Sequence, residues 1–305
     1  MYFQLKMRKK QNNKFSKKSS TSRKEKYIGG PRIGKSKIKN PIEDKKKNFG
    51  LKEIHTRKND KTIQKTEAPL SESMRLNRFI ANSGICSRRE ADTYIAAGVV
   101  KINGKIVTAL GTKVNAGDKV EFEGRIIRSE AKIYIALNKP KSVISAVSSD
   151  RGERTVIDIV RNCCSERLYP VGRLDKNTTG VLLLTNDGDM TKRLTHPSGN
   201  VKKLYHASLD KSLKIEDMQK LADGIVLEDG AVKADEISYI DGNKREIGVQ
   251  MHSGKNRIVR RMFEHLGYEV KNLDRVLFAG ITKKNIPRGK WRFLTSKEID
   301  FLKMK

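Results

Sequence analysis

The sequence predicts an α+β fold made of a small module followed by a larger sheet domain. Between residues 133 and 278, strand-like runs outnumber helical runs and often follow one another through turns. That order favours a mixed, largely antiparallel sheet over a doubly wound parallel one. Between residues 73 and 124, two short helical stretches precede a few short strands. The predicted domains are therefore residues 73–124 and residues 132–305.

Three local signals predict the elements of the module. Apolar residues recur at helical spacing from Leu76 onward, which indicates a first helix. Residues 87–90 have the S-x-x-E form of a capping box, which predicts a second helix that starts at Arg88. Asn103 and Gly104 separate two β-prone runs, and this is a strong hairpin signal.

In the larger domain, β-prone apolar runs predict the strands and apolar spacings of three and four predict the helices. The predicted strands cover residues 133–137, 167–171, 181–184, 204–209, 232–240, 246–252 and 269–278. The predicted helices cover residues 155–162, 189–195, 215–222 and 256–266.

Positive charge dominates the composition. Lys and Arg total 65 against 35 Asp and Glu, which gives a net charge of +30 and favours a nucleic-acid partner. Residues 1–70 hold 22 of the basic and 6 of the acidic residues. Residues 1–72 show no apolar periodicity, so they are predicted to be a disordered basic arm. We favour an arm that raises RNA affinity over a passive solubilising tail.

The composition and the motifs also predict the cellular compartment and whether a cofactor is needed. Cys86, Cys163 and Cys164 form neither a disulfide framework nor a zinc-ligand pattern, so we expect a cytoplasmic protein. No apolar run approaches the ~20 residues of a membrane span, and the N-terminus lacks the apolar core of a signal peptide. The sequence has no phosphate-binding glycine loop and no dinucleotide fingerprint, and we expect no metal and no cofactor.

The most informative segment is residues 172–180, which read GRLDKNTTG. It lies between two predicted strands and holds Asp175 at a tight connection with a glycine at each end. Such a connection fixes one carboxylate in a cleft while leaving backbone room for a substrate. The alternative is that Asp175 only closes a turn.

A second segment, residues 254–262, predicts an anion site on a helix. Ile258 and Met262 mark a buried stripe, and Arg257, Arg260 and Arg261 occupy the remaining surface. Arginines near a helix N-terminus favour phosphate binding, because the helix end adds partial positive charge. The alternative is an ordinary helix with a solvated basic face.

Four segments together resemble the pseudouridine synthases of the RsuA/RluB-like branch, which modify ribosomal RNA at single sites. They are residues 172–180 and 254–262, Lys203-Leu204-Tyr205, and Asn138-Lys139-Pro140. The module is similar to the alpha-L RNA-binding domain that this branch carries at its N-terminus. The resemblance covers residues 74–302. It implies an isomerase that converts uridine to pseudouridine in small- or large-subunit ribosomal RNA. The G-Y-E-V segment at residues 267–270 and the long basic arm favour a large-subunit target.

The resemblance also implies three catalytic residues. Asp175 is the carboxylate that attacks the ribose or otherwise assists departure of the base, which rotates and rejoins the sugar through carbon five. Tyr205 stacks on the base and is a candidate proton carrier, although a half-buried strand aromatic is the alternative reading. Arg260 matches the basic residue that pairs with the aspartate and keeps it ionised.

Eight basic residues are candidate RNA contacts. Those in the module fall off the apolar stripes and are free to face phosphates, although a solvated basic face is the alternative. The eight residues are Arg75, Arg78, Arg88, Arg89, Lys101, Arg173, Arg257 and Arg261. The expected partner is a stem-loop of ribosomal RNA, bound by a monomer whose two domains are loosely linked near residues 123–132.

Two other functions compete with this interpretation. A glycosidase needs two flanking carboxylates, and Asp187, Asp189 and Glu264 are available without any motif context. A non-catalytic RNA-binding factor for ribosome assembly is the second alternative. The intact Asp175, together with the tyrosine and arginine candidates, argues against that alternative.

Overall fold

The structure is a computed structural model that describes residues 73–304, so the predicted arm over residues 1–72 lies outside the described residues. The helices are α1 Leu76–Asn82, α2 Arg88–Ala96, α3 Val156–Val160, α4 Gly188–Thr195, α5 Ile215–Asp223, α6 Ile258–His265 and α7 Ser296–Lys303. None of these described helices has the length and apolarity that a membrane crossing requires.

The strands in the described part of the chain are mostly short in the module and longer in the sheet domain. They are β1 Met74–Arg75, β2 Val100–Ile102, β3 Lys105–Ile106, β4 Lys113–Val114, β5 Val120–Phe122, β6 Arg125–Ile126, β7 Tyr134–Lys139, β8 Tyr169–Pro170, β9 Thr179–Thr185, β10 Lys203–Leu209, β11 Ile225–Leu227, β12 Gly230–Val232, β13 Glu236–Ile240, β14 Asn243–Met251, β15 Val270–Phe278, β16 Ile281–Thr282 and β17 Trp291–Phe293.

The module confirms the local predictions. The Ser87 hydroxyl accepts a hydrogen bond from the Glu90 backbone N–H, and the Ser87 N–H donates to the Glu90 carboxylate at 2.6 Å. This capping box starts α2 at Arg88, as predicted. Asn103 and Gly104 have positive φ angles of 51° and 81° and join β2 to β3 in an antiparallel hairpin. The four-stranded sheet has the order β3-β2-β5-β6.

The larger domain is built on one nine-stranded sheet with the main order β13-β14-β10-β15-β9-β7-β17. Strand pairs are antiparallel except β9 with β15, which run parallel. The predicted α+β class with a mixed, largely antiparallel sheet is therefore confirmed. The parallel pair matters for the site, because it places two segments that are distant in sequence at the same end of the sheet.

Both faces of the central strands are buried. Alternate residues of β7 and β9 enter two different apolar clusters, one containing Leu182 and Leu184 and the other containing Val181 and Leu183. Helices α3, α5 and α6 supply the first cluster, and α4 and α7 supply the second. Burial on both faces explains why these strands read as continuous apolar runs rather than as alternating ones.

Some predicted boundaries are wrong. The predicted strand over residues 167–171 is only the two-residue strand β8. The predicted strand over residues 232–240 is split between β12 and β13, because the Ala234 N–H leaves the sheet and donates to Leu221. Helix α6 begins at Ile258 rather than directly after Gly254, because Arg257 has a left-handed backbone with φ 47°.

The segment between the module and the sheet domain, predicted to be loose, is hydrogen-bonded at several points. The Glu130 N–H donates to the Asn82 carbonyl at 2.9 Å. The Asn186 side chain accepts from the Ile133 N–H at 2.9 Å and donates to the Ala131 carbonyl at 2.8 Å. These bonds attach the segment to helix α1 on one side and to the end of β9 on the other.

Candidate active site

Asp175 lies in the loop between β8 and β9, and the buried side chain of Lys139 holds that loop. The Lys139 ammonium donates to the backbone carbonyls of Asp175 at 3.0 Å, Lys176 at 3.1 Å and Thr178 at 2.9 Å. It also donates to the Pro140 carbonyl at 3.2 Å. Burial lowers the pKa of Lys139 to about 8, and the charge of Asp175 opposes this shift.

Ser145 fixes the loop on its other side. Its hydroxyl accepts from the Leu174 N–H at 3.1 Å and donates to the Leu174 carbonyl at 2.9 Å. The Asp175 carboxylate itself accepts only a long bond of 3.4 Å from the Thr178 hydroxyl among the hydrogen bonds of the described residues. The backbone of the loop is thus firmly held while the carboxylate stays half-exposed and available to a substrate.

The carboxylate faces a cleft of about 690 Å³, a volume typical of small-molecule sites. Its walls come from the Asp175 loop, from the start of β10, from β15 and from residues 253–259. Of the predicted site residues, Asp175, Tyr205, Arg173 and Arg257 line this cleft. The space and its lining suit a flipped nucleoside, with one carboxylate and one aromatic ring on the walls.

Strand pairing explains how these residues meet. Gly180 pairs with Arg275 in the parallel register of β9 and β15, and Tyr205 stands opposite Arg275 in the antiparallel register of β10 and β15. Strand β15 therefore lies between the strand that follows the Asp175 loop and the strand that carries Tyr205. Asp175 and Tyr205 reach one cleft although thirty positions separate them in the chain.

Comparisons with known proteins decide the family. A family model described as RNA pseudouridylate synthase matches residues 133–265, and an S4 domain model matches residues 74–120. A Bacillus subtilis protein, ribosomal large subunit pseudouridine synthase B, is 40% identical over 233 residues, which cover 75% of this chain and 95% of the relative. The chain belongs to the RNA pseudouridine synthases. The resemblance seen in the sequence is thereby confirmed.

Two further comparisons agree with this assignment. The synthase is 38% identical over 241 residues to the Escherichia coli K12 protein named dual-specificity RNA pseudouridine synthase RluF, covering 76% of this chain and 79% of the relative. A crystal structure of a pseudouridylate synthase matches with a TM-score of 0.55 and 29% identity, over 75% of this chain and 100% of that one. The activity of the family is the isomerisation of uridine, and the synthase is an isomerase.

Arg260 occupies a different position in the synthase from the one its sequence pattern indicated. It is buried rather than on a solvated helix face, and it donates to the Val270 carbonyl at 2.6 Å. Within the described residues it forms no ion pair with Asp175 inside 4.0 Å. Burial, and next the charge of Arg257, lower the pKa of Arg260, and the charge of Asp175 opposes this lowering. The two groups interact through space.

Three residues at the site of the synthase were given no role by the sequence. Lys139 and Lys203 stand in segments that the family resemblance singled out, so a signal for them was present. The Lys203 ammonium lines the cleft and donates to the carbonyls of Val201 at 3.1 Å and His252 at 2.6 Å. Burial, and next the charge of Arg275, lower the pKa of Lys203 to about 8. Arg275 had no sequence signal.

The predicted RNA-binding residues fall into two groups. Arg75, Arg88, Arg89 and Lys101 are exposed on the module, and Arg173 is exposed at the cleft. The other three have acidic partners on the protein. Their ion pairs are Arg78 with Asp189, Arg257 with Glu264 at 3.3 Å, and Arg261 with Asp229 at 2.8 Å. Those three exchange a protein partner for a phosphate if they bind RNA.

Proposed function

We propose that the synthase converts a uridine of ribosomal RNA to pseudouridine, and that the target lies in the large subunit. The observation that carries the proposal is the firmly held Asp175 loop facing Tyr205 across a nucleoside-sized cleft. The 40% identity to a Bacillus subtilis protein named for the large ribosomal subunit supports the choice of RNA. The S4 domain, a basic module, supports RNA as the partner.

The proposed roles follow from the positions of the side chains. Asp175 attacks the sugar or assists departure of the base, because its carboxylate is held by the loop backbone and not by strong side-chain bonds. Tyr205 provides an aromatic surface for the flipped base. Arg260 acts on Asp175 through its positive charge, at longer range than an ion pair.

Substrate recognition is proposed to divide between the two domains. The exposed cations of the module bind phosphates and position the RNA without reading its sequence. Arg173 and Arg257 then contact the backbone next to the flipped uridine at the cleft. A stem-loop bound by a monomer fits this division, because one chain supplies both the module and the cleft.

The test maps pseudouridine in ribosomal RNA from cells that lack this gene. That RNA is then incubated with wild-type protein, with Asp175→Asn, or with the matched control Asp150→Asn, whose residue is exposed and away from the cleft. We expect wild type and the control to restore pseudouridine at one or two uridines. The Asp175→Asn variant should restore none, although it keeps its RNA affinity.

Two outcomes would contradict the proposal, one in part and one in full. If the lost site lies in small-subunit or transfer RNA, the reaction stands and the choice of RNA is wrong. If no uridine changes while wild type and Asp175→Asn bind ribosomal RNA equally well, the protein is a non-catalytic RNA-binding factor.

A further inference from the structure

A buried guanidinium lies in the wall of the active-site cleft. Arg275 is 3% exposed, and its Nε donates to the Val181 carbonyl at 2.9 Å. Its Nη2 is buried and has no hydrogen-bond partner. The ring of Phe278 lies 4.4 Å from the guanidinium carbon, which gives a cation–π contact on one side. The residue is one of those that line the cleft.

No carboxylate of the described residues forms an ion pair with Arg275. Another cation in the cleft wall, Lys203, has its pKa lowered by burial and then by the charge of Arg275. Burial lowers the pKa of Arg275, and the Tyr205 phenol opposes that shift by its charge and by a hydrogen bond to the guanidinium, while Nη2 stays without a partner. An unpaired buried charge costs several kcal/mol. We therefore expect the molecule that enters the cleft to supply the compensating negative charge.

The reaction generates such a charge. When the bond between C1′ of the ribose and N1 of uracil breaks, the bonding electron pair leaves with the base. The sugar carbon is then bonded to, or stabilised by, the Asp175 carboxylate, and the detached uracil is an anion delocalised over N1, O2 and O4. When C5 bonds to C1′, the electron pair of the uracil anion forms the new bond. Where Asp175 is bonded to C1′, that bond breaks at this step and its electron pair returns to the carboxylate. The C5 proton is then transferred to N1 by way of a base. A fixed donor near the base stabilises the intermediate charge.

We propose that Arg275, through its unpartnered Nη2, stabilises the negative charge on the detached uracil. The inference rests on the proposed function, because it needs the base to leave the sugar in this cleft. Arg275 stands opposite Tyr205 on adjacent strands, so a base that stacks on the tyrosine ring lies beside the guanidinium. The guanidinium is held before the reaction by the Nε bond to the Val181 carbonyl and by the Phe278 ring.

The test compares Arg275→Met with wild type on two versions of one RNA stem-loop. One version carries uridine at the target position and the other carries 5-fluorouridine. Fluorine withdraws electrons and stabilises the departing anion by itself, so detachment of 5-fluorouracil depends less on Arg275. We expect a roughly 100-fold loss of the single-turnover rate with uridine. With 5-fluorouridine, the substitution should lower the rate of substrate consumption by a factor about ten-fold smaller than with uridine.

A structural role predicts a different pattern. If Arg275 only positions Tyr205 or supports the strands, both substrates lose the same factor, and that result overturns the inference. Unchanged activity of Arg275→Met overturns it as well. The thermal midpoint of Arg275→Met should not fall, since the substitution removes an unpaired buried charge. Arg275→Gln serves the same comparison if the methionine variant does not fold.

Two controls separate this inference from the proposed function. Arg292→Met removes an arginine that pairs with Glu298 at 2.7 Å outside the cleft, and its rate should match wild type. Wild-type protein that forms no pseudouridine in any ribosomal RNA overturns the proposed function and this inference together. Active wild type with equal losses on the two substrates overturns this inference alone.

Discussion

Gly180 lies so close to the backbone of Arg275 that a β-carbon on the glycine would stand 2.2 Å from the Arg275 carbonyl oxygen. Its φ of +110° is also one that other residues rarely adopt. The contact sits where β9 and β15 run parallel, directly after the Asp175 loop. The glycine that ends the GRLDKNTTG segment is therefore required by strand packing rather than by access of substrate.

Gly180→Ala should destabilise the synthase severely. The new methyl group forces the two central strands apart, and we expect the free energy of unfolding to fall by more than about 3 kcal/mol. Gly242→Ala is the matched control, because Gly242 also has a positive φ, of +75°, but has no neighbouring atom within 4 Å. It should cost only about 1 kcal/mol. Urea unfolding measures both, and equal losses would show that backbone strain alone decides.

Lys139→Met should slow the reaction by roughly ten-fold or more, because the loop loses a charge-assisted donor to its carbonyls. Amide hydrogen exchange of residues 172–178 should become faster in the variant, because the Lys139 ammonium no longer binds the carbonyls of the Asp175 loop. Lys141→Met removes an exposed lysine two positions away and should leave both the rate and the exchange unchanged. Unaltered exchange in Lys139→Met would contradict this role.

The lowered pKa of Lys139 also predicts a pH dependence of stability. The group has a pKa of about 8 in the folded protein against 10.5 in its unperturbed state. Between these values the unfolded chain binds the proton more often than the folded one, so stability rises with pH. The difference in unfolding free energy between wild type and Lys139→Met should therefore shift in favour of wild type by about 2 kcal/mol across roughly two pH units above 7.5. A pH-independent difference would argue that the amine stays charged throughout.

Asp189→Asn should raise RNA affinity about two- to five-fold at low salt, because Arg78 is released from its ion pair and becomes available to a phosphate. The same substitution in an Arg78→Ala background should have no effect, which makes a double-mutant cycle the control. Binding measured at two salt concentrations checks the electrostatic origin. Lower affinity of Asp189→Asn would show that the ion pair orients the module for binding instead.

Local sequence patterns were sufficient to predict several secondary-structure elements. The capping box at Ser87 and Glu90 needs only neighbouring residues, so the start of α2 was predicted to the residue. The Asn103 hairpin is equally local. The strand after the Asp175 loop was found because burial on both faces leaves a continuous apolar run.

The environments of Arg260 and Arg275 depend on tertiary packing and could not be predicted in this way. Arg260 is buried where helix α6 packs on β15, and it donates a hydrogen bond to the Val270 carbonyl. Arg275 is buried because it lies on the same face of β15 as the buried Leu273, and its guanidinium packs over the Phe278 ring. Arginine is mostly an exposed residue type, so its presence in the segment gave no signal of burial.

The parallel pairing of β9 with β15 also sets the order of events during translation. The module is complete within residues 74–126, whereas the cleft needs β15, which ends at Phe278, more than a hundred residues after Asp175. Domains fold in the order in which they leave the ribosome, and long-range strand pairing is slow. A nascent chain therefore carries a finished RNA-binding module well before it carries a working active site, and catalysis begins only after synthesis has passed Phe278.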